Sequence, residues 1–132
     1  MQENFEHNPH INPESEITLN RRVLWLTQDP DIVKQQLEGR NIDRVTQDQL
    51  ATNVSTDEII PSRWVFYFDE ETLGEQCLTG FRGGVIKPGD IKRGQFDLIV
   101  SGASFGSGSS REHAPISLKG AGVKAVAATP IE

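Results

Sequence analysis

The sequence predicts an α/β fold, and three observations carry that prediction. Phe96-Asp97-Leu98-Ile99-Val100 is an apolar, β-branched run of strand length. It passes directly into a glycine-rich loop, Ser101 to His113. A short helical stretch follows from Pro115 to Leu118, stopped by Gly120 and Gly122, and Val123 to Ala128 then reads as a second buried strand. Strand, loop, helix and strand in that order form a parallel βαβ unit, because parallel neighbours need a crossover between them.

Upstream elements follow from local chemistry. Arg22-Val23-Leu24-Trp25-Leu26 is an apolar run that fits a short strand or the opening of a helix. Asp29-Pro30 breaks it. Asp31 is the expected cap of a helix over 32–37, with Ile32, Val33 and Leu37 on one face, and Gly39 stops that helix. Residues 41–51 are ambiguous. Val54 to Ile60 leads into Pro61, and Trp64-Val65-Phe66-Tyr67-Phe68 reads as a strand or a tightly packed aromatic segment. Asp69 caps a helical pattern reaching Leu78, with Leu73, Cys77 and Leu78 on one side. Gly80 to Gly84 is loop, and Val85 to Asp90 is a turn feeding a short element. Residues 1 to about 20 are polar, with Pro9 and Pro13 and little periodicity. The expected organisation is an N-terminal extension over 1–40, partly tail-like, and a domain over 41–132.

Composition narrows the function. A chain of 132 residues suits one domain with a real core. Its net charge of −6 argues against nucleic acid, whose phosphates require clustered Lys and Arg. No apolar run approaches the roughly 20 residues that span a bilayer. MQENFEHNPH lacks a basic start and an apolar core, so no secretory signal is read and a cytoplasmic location is expected. The single Cys77 precludes an internal disulfide and cannot supply a four-thiolate site. A metal cluster in this protein's chemistry must therefore be held by another chain or domain.

The glycine-rich loop is where the chemistry concentrates. Gly102, Gly106 and Gly108 allow positive φ and close approach to a ligand. Successive backbone N–H groups, with Gly106, Ser107 and Gly108 at the centre, make a concavity suited to an anion. Arg111 adds a planar fork that matches a carboxylate. The loop's position at the carboxyl end of a strand is where open α/β sheets usually bind ligands. A helix cap is the competing reading, since Ser109-Ser110-Arg111-Glu112 fits a capping box. Pro115 weighs against it, because proline belongs in the first helical turn and a helix begun at Ser110 would already be under way. A start near Ala114 leaves Ser109, Ser110 and Arg111 in the loop. The residues alone leave anion binding and a purely structural turn both open. A nucleotide P-loop is disfavoured because no Gly-Lys-Ser/Thr follows, and the glycine spacing misses the dinucleotide pattern.

Gly-Ser-Gly-Ser-Ser-Arg-Glu-His-Ala at 106–114 resembles the swivel-domain signature of aconitases and of 3-isopropylmalate isomerase small subunits. Asn53-Val54-Ser55-Thr56-Asp57-Glu58-Ile59-Ile60-Pro61 resembles the Thr-Asp segment near the start of that domain. The similarity spans about 42–128. It implies the compact, barrel-like β/β/α sheet with flanking helices of an aconitase-type swivel domain, cut short at its C-terminal end. The implied activity is a hydro-lyase that moves a hydroxyl between adjacent carbons of a di- or tricarboxylate by dehydration and rehydration. This chain would bind no cofactor itself, and a [4Fe–4S] cluster would sit on a large partner subunit or domain. Ser109 resembles the serine whose alkoxide removes the substrate proton, and Ser110 and Arg111 resemble carboxylate binders. Asp57 is implied to orient Arg111 or a partner group, and Thr56 to support its turn. The Ile59-Ile60-Pro61 form leans towards the isopropylmalate branch. A non-catalytic carboxylate-binding or regulatory module on the same fold is the alternative.

Other residues carry less. His113 is read as structural, close to the loop but directed into its packing. His7 and His10 are read as solvated, and Cys77 as a core residue. Arg63 fits the site mouth or the surface equally well, and Phe81-Arg82-Gly83-Gly84 is a loop placed to influence substrate choice or simply to turn the chain.

Overall fold

The computed structural model describes residues 18–106 and 113–128. Three strands, β1 (Arg22–Trp25), β2 (Phe96–Ser101) and β3 (Ala125–Ala128), form one parallel sheet in the order β1-β2-β3. Five helices accompany them among the described residues: α1 (Pro30–Leu37), α2 (Thr56–Ile59), α3 (Glu70–Glu75), α4 (Asp90–Gly94) and α5 (His113–Gly120). The α/β class and the parallel β2–α5–β3 unit are as the sequence predicts.

β2 is central, so its apolar character is needed on both faces, and Phe96, Asp97, Ile99 and Ser101 are all buried. Leu24 of β1 stands opposite Ile99, and Ile99 stands opposite Val126 of β3. Asp97 is a buried carboxylate inside this apolar strand. Its Oδ2 accepts from the backbone N–H groups of Asn20 (3.0 Å) and Arg21 (2.9 Å), fixing the chain as it enters β1. The outer edge of β1 is sealed by the fully buried Gln36. Its Oε1 accepts from Trp25 N–H at 2.8 Å and its Nε2 donates to Trp25 C=O at 2.9 Å, replacing a neighbouring strand. Arg22 donates to the carbonyls of Gln36, Arg40 and Gly94 at the ends of two helices, with its guanidinium over the Phe96 ring. β1 and α1 thus share the sheet and core with the rest, and the sheet crosses the boundary drawn at residue 40.

Several local expectations need correction. α1 is capped by Asp29, whose Oδ1 accepts from Asp31 N–H at 2.9 Å, and not by Asp31. Pro30 then fills the first helical position, where no N–H is needed. Trp64 to Phe68 forms no strand: Trp64, at the end of a 3₁₀ turn over Ser62–Trp64, packs partly buried against the core, whereas Phe66, Tyr67 and Phe68 are 85%, 46% and 68% exposed. β3 is an edge strand with Ala127 and Ala128 exposed, and the burial expected of it falls on Val123 just before it. The described part of α5 begins at His113, with Pro115 in its first turn. Asp69 caps α3 through Thr72 N–H, as expected, and hydrogen bonds from Thr72 hold its carboxyl below the ordinary aspartate range.

α3 and α5 cross at two glycines. A Cβ on Gly120 would run into the Glu70 carbonyl, and one on Gly74 into the backbone of Gly120. Ser117 spans the same crossing by donating to Leu73 C=O at 2.7 Å. Cys77 lies buried beneath it, and burial pushes its thiol up to about 12, a hydrogen bond with Ser117 acting the other way. Gly120→Ala should lower unfolding free energy by about 1–3 kcal/mol in urea titrations, because backbone has nowhere to move; an unchanged midpoint would count against this crossing. A raised thiol pKa favours the native state below the ordinary value of 9.0, and that stability is lost as pH climbs through about 12. Cys77→Ala should therefore flatten the alkaline fall in stability between those pH values.

Candidate functional site

At the carboxyl end of β2 the chain meets the segment 51–54, and the two are laced together by backbone hydrogen bonds. Ser101 Oγ donates to Ala51 C=O at 3.2 Å, and Gly102 N–H donates to the same carbonyl at 2.8 Å. Asn53 N–H donates to Ala103 C=O at 2.8 Å, and Gly106 N–H to Val54 C=O at 2.7 Å. Segment 51–54 is itself tied to β1 through Ala51 N–H and Leu26 C=O at 2.8 Å. The start of the stretch 53–61 and the head of the glycine-rich loop, 102–106, therefore meet at one end of the sheet.

The lacing dictates residue types. A Cβ on Gly102 would sit 2.7 Å from the Ala51 carbonyl and 2.8 Å from Thr52 Cγ2, so only glycine allows this approach. Asn53 and Ser104 both hold positive φ, 56° and 66°, a backbone cost that concentrates at functional sites. Gly106 also has positive φ, 84°.

Beyond Asn53 the chain turns into α2. Ser55 Oγ accepts from Glu58 N–H at 3.2 Å and Glu58 Oε1 accepts from Ser55 N–H at 3.1 Å, a reciprocal capping box. Thr56, the first residue of α2, is buried. Asp57 is exposed, and its Oδ1 accepts from Ser62 N–H at 2.9 Å, joining α2 to the following turn. Ser107, Gly108, Ser109, Ser110 and Arg111 lie outside the described residues. One expectation changes: the Gly106 N–H is spent on Val54 and is not offered to an anion, although its left-handed backbone is as the loop reading requires.

Arg82 is the residue that sequence reasoning left undecided. Its Nε donates to Glu58 Oε2 at 3.0 Å and its Nη2 to the Thr52 carbonyl, so one guanidinium clamps both ends of the 52–58 turn. Phe81, buried beside it, anchors the loop that delivers it. Nothing in local spacing announces this contact, which joins positions far apart in the chain. Arg63 lies at the surface, its guanidinium 5.9 Å from the Trp64 ring centre.

His113 is the first described residue of α5. It is 9% exposed, its ring lies 4.8 Å from that of Phe68 at 41°, and neither ring nitrogen has a partner among the described residues. Trp64 Nε1 is buried without a partner among them too. Among the described residues no three His, Cys, Asp or Glu side chains gather as a metal site, and no helix is long and apolar enough to cross a membrane.

The aconitase C-terminal domain model matches residues 89–130, which covers β2, the loop, α5 and β3. The 3-isopropylmalate dehydratase small subunit of Nitratidesulfovibrio vulgaris strain DP4 is 42% identical over 83 residues, 63% of this chain and 47% of that protein. Over that stretch the chain is similar to a dehydratase small subunit. The isopropylmalate/citramalate isomerase small subunit of Methanocaldococcus jannaschii is 45% identical over 83 residues, 61% of this chain and 45% of that one. A crystal structure of 3-isopropylmalate dehydratase from the same organism gives a TM-score of 0.48 at 37% identity, covering 59% of this chain and 44% of that one. The chain spans about half the length of the relatives it matches.

The Arg82 clamp is open to a double-mutant cycle. Arg82→Ala should cost on the order of 1 kcal/mol, most of it shared with Glu58→Gln, since the pair is partly exposed. Purely additive losses would show that Arg82 and Glu58 act independently.

Proposed function

We propose that this chain is the substrate-binding swivel part, over 41–132, of a hydro-lyase that isomerises a hydroxy di- or tricarboxylate by dehydration and rehydration. The observation that carries this reading is the hydrogen-bonded crossing of 51–54 with 102–106, which brings the Thr-Asp segment and the head of the glycine loop together at the carboxyl end of β2. The names of its relatives favour 3-isopropylmalate as the acid and a large subunit as the partner; a cytoplasmic setting belongs to the same reading.

The chain's own groups divide the work. Arg111 grips a substrate carboxylate in a bidentate pair, and Ser110 adds a further donor. Ser109, as alkoxide, takes the proton from the carbon next to that carboxylate. Serine is a weak base at its ordinary acidity, so the alkoxide depends on backbone donors, which fall to residues after Gly106 because that amide is engaged. Thr56 supports the start of α2, and Asp57 at its surface orients Arg111 or a group on the partner.

The residues here do not fit a [4Fe–4S] cluster. The chain has one cysteine, Cys77, and burial keeps its thiol protonated beneath the α3–α5 crossing. The cluster therefore falls to the large partner in this reading.

Co-expression with a cluster-bearing 3-isopropylmalate dehydratase large subunit should give turnover of 3-isopropylmalate. Ser109→Ala should keep KM within a few-fold while lowering kcat by about 10²-fold or more. Unchanged kcat would remove Ser109 from the base role, and no turnover of any di- or tricarboxylate would sink the enzyme reading in favour of a carboxylate-binding module.

A further inference from the structure

We infer that Arg82 is a positioning residue for the Thr-Asp turn, and that the loop carrying it sets where Thr56 and Asp57 stand relative to the head of the glycine-rich loop. The part those two residues play belongs to the hydro-lyase reading, and the inference rests on it.

α2 cannot hold its own place. It has four residues, Thr56–Ile59, whereas an isolated helix is marginal in water below about 12–15 residues. Its capping box secures the first turn and nothing beyond it. The loop 78–82 braces it at three points. Leu78 N–H donates to Ile59 C=O at 2.7 Å, at the end of the helix. Leu78 is fully buried and holds a φ of 62°, which a bulky side chain rarely adopts. Gly80 then passes the turn so closely that a Cβ would lie 2.5 Å from the Asp57 carbonyl oxygen and 3.1 Å from Glu58 Cα. Arg82 completes the brace, donating from Nε to Glu58 Oε2 at 3.0 Å and from Nη2 to Thr52 C=O.

The two acceptors explain why the residue is arginine. Glu58 shares its carboxylate between the Ser55 N–H, at 3.1 Å, and Arg82, so the cap and the clamp are one unit. Thr52 lies between Ala51 and Asn53, whose backbone groups bond to Gly102 and Ala103. One planar fork therefore fixes the helix against the crossing with the loop head, which the point charge of a lysine cannot do. The ion pair itself adds little stability, because the Arg82 side chain is 41% exposed. Geometry is what it supplies, and small misplacements near reacting groups cost far more in rate than in stability.

Two variants of the full chain, assayed in complex with the large subunit well below the melting temperature, separate positioning from stability. Arg82→Ala should lower kcat about 10-fold and leave KM within a few-fold. Arg82→Lys keeps a charge beside Glu58 but cannot reach Thr52 as well, so it should recover the melting temperature and not kcat. Wild-type kcat in Arg82→Ala overturns the inference. A kcat that recovers in step with the melting temperature in Arg82→Lys does so too, since the arginine would then only stabilise the fold. Should Arg82→Ala fail to assemble, Glu58→Gln takes its place, because its side-chain oxygen still caps Ser55 N–H and only the ion pair is lost. A lowered kcat there supports the inference, and an unchanged one overturns it. If wild type itself gives no turnover, the hydro-lyase reading falls and hydrogen exchange on the full chain alone decides the brace. Exchange about 10-fold faster at Asn53 and Ile60 in Arg82→Ala, with Ile99 of β2 unchanged, supports it. Unaltered exchange, or a uniform rise that includes Ile99, overturns it.

Discussion

Everything proposed for this chain depends on one close approach, where Gly102 passes the Ala51 carbonyl near enough that a side chain could not fit between them. That approach lets four hydrogen bonds form between 101–106 and 51–54, and those bonds take the chain out of the sheet at a fixed angle. Two residues accept left-handed backbone conformations to make it, Asn53 and Ser104. Such strain persists only where neighbours over-determine the path. Here the neighbours are β1 through Leu26, the capping box of α2, and Arg82 across its mouth.

The polar groups inside the fold serve the same end. Asp97 sits in the middle of the central strand yet pins the entrance to β1, and Gln36 closes β1's outer edge by imitating a strand's backbone. Arg22 ties the ends of α1 and α4 to that strand. Each is hydrogen-bonded to backbone, so each stiffens the scaffold on which the loop is mounted.

Legibility in the sequence followed the range of the interaction. β2, the head of the loop and α5 are readable because strand propensity, glycine spacing and Pro115 act locally, and the parallel class follows from their order. Asp69's capping of α3 is readable for the same reason, whereas α1's cap lies two residues earlier than its local pattern suggests, because Pro30 serves as the first helical residue and not as a break. The aromatic run 64–68 misled because strand propensity cannot distinguish a buried face from an exposed one. β1's membership of the sheet, the clamp by Arg82 and the engagement of the Gly106 amide all depend on partners distant in sequence, and no local pattern encodes them. The resemblance of 53–61 and 106–114 to one family supplied what local physics could not, the expectation that these two stretches belong to one site.

Native-state hydrogen exchange at three amides tests the crossing most directly. Asn53, Gly102 and Gly106 should open as one unit, with a common free energy and a common denaturant dependence, because each bond braces the same approach of two segments. Gly106 exchanging freely while Gly102 remains protected would contradict the account, since the head of the loop would then be unanchored from the Thr-Asp segment.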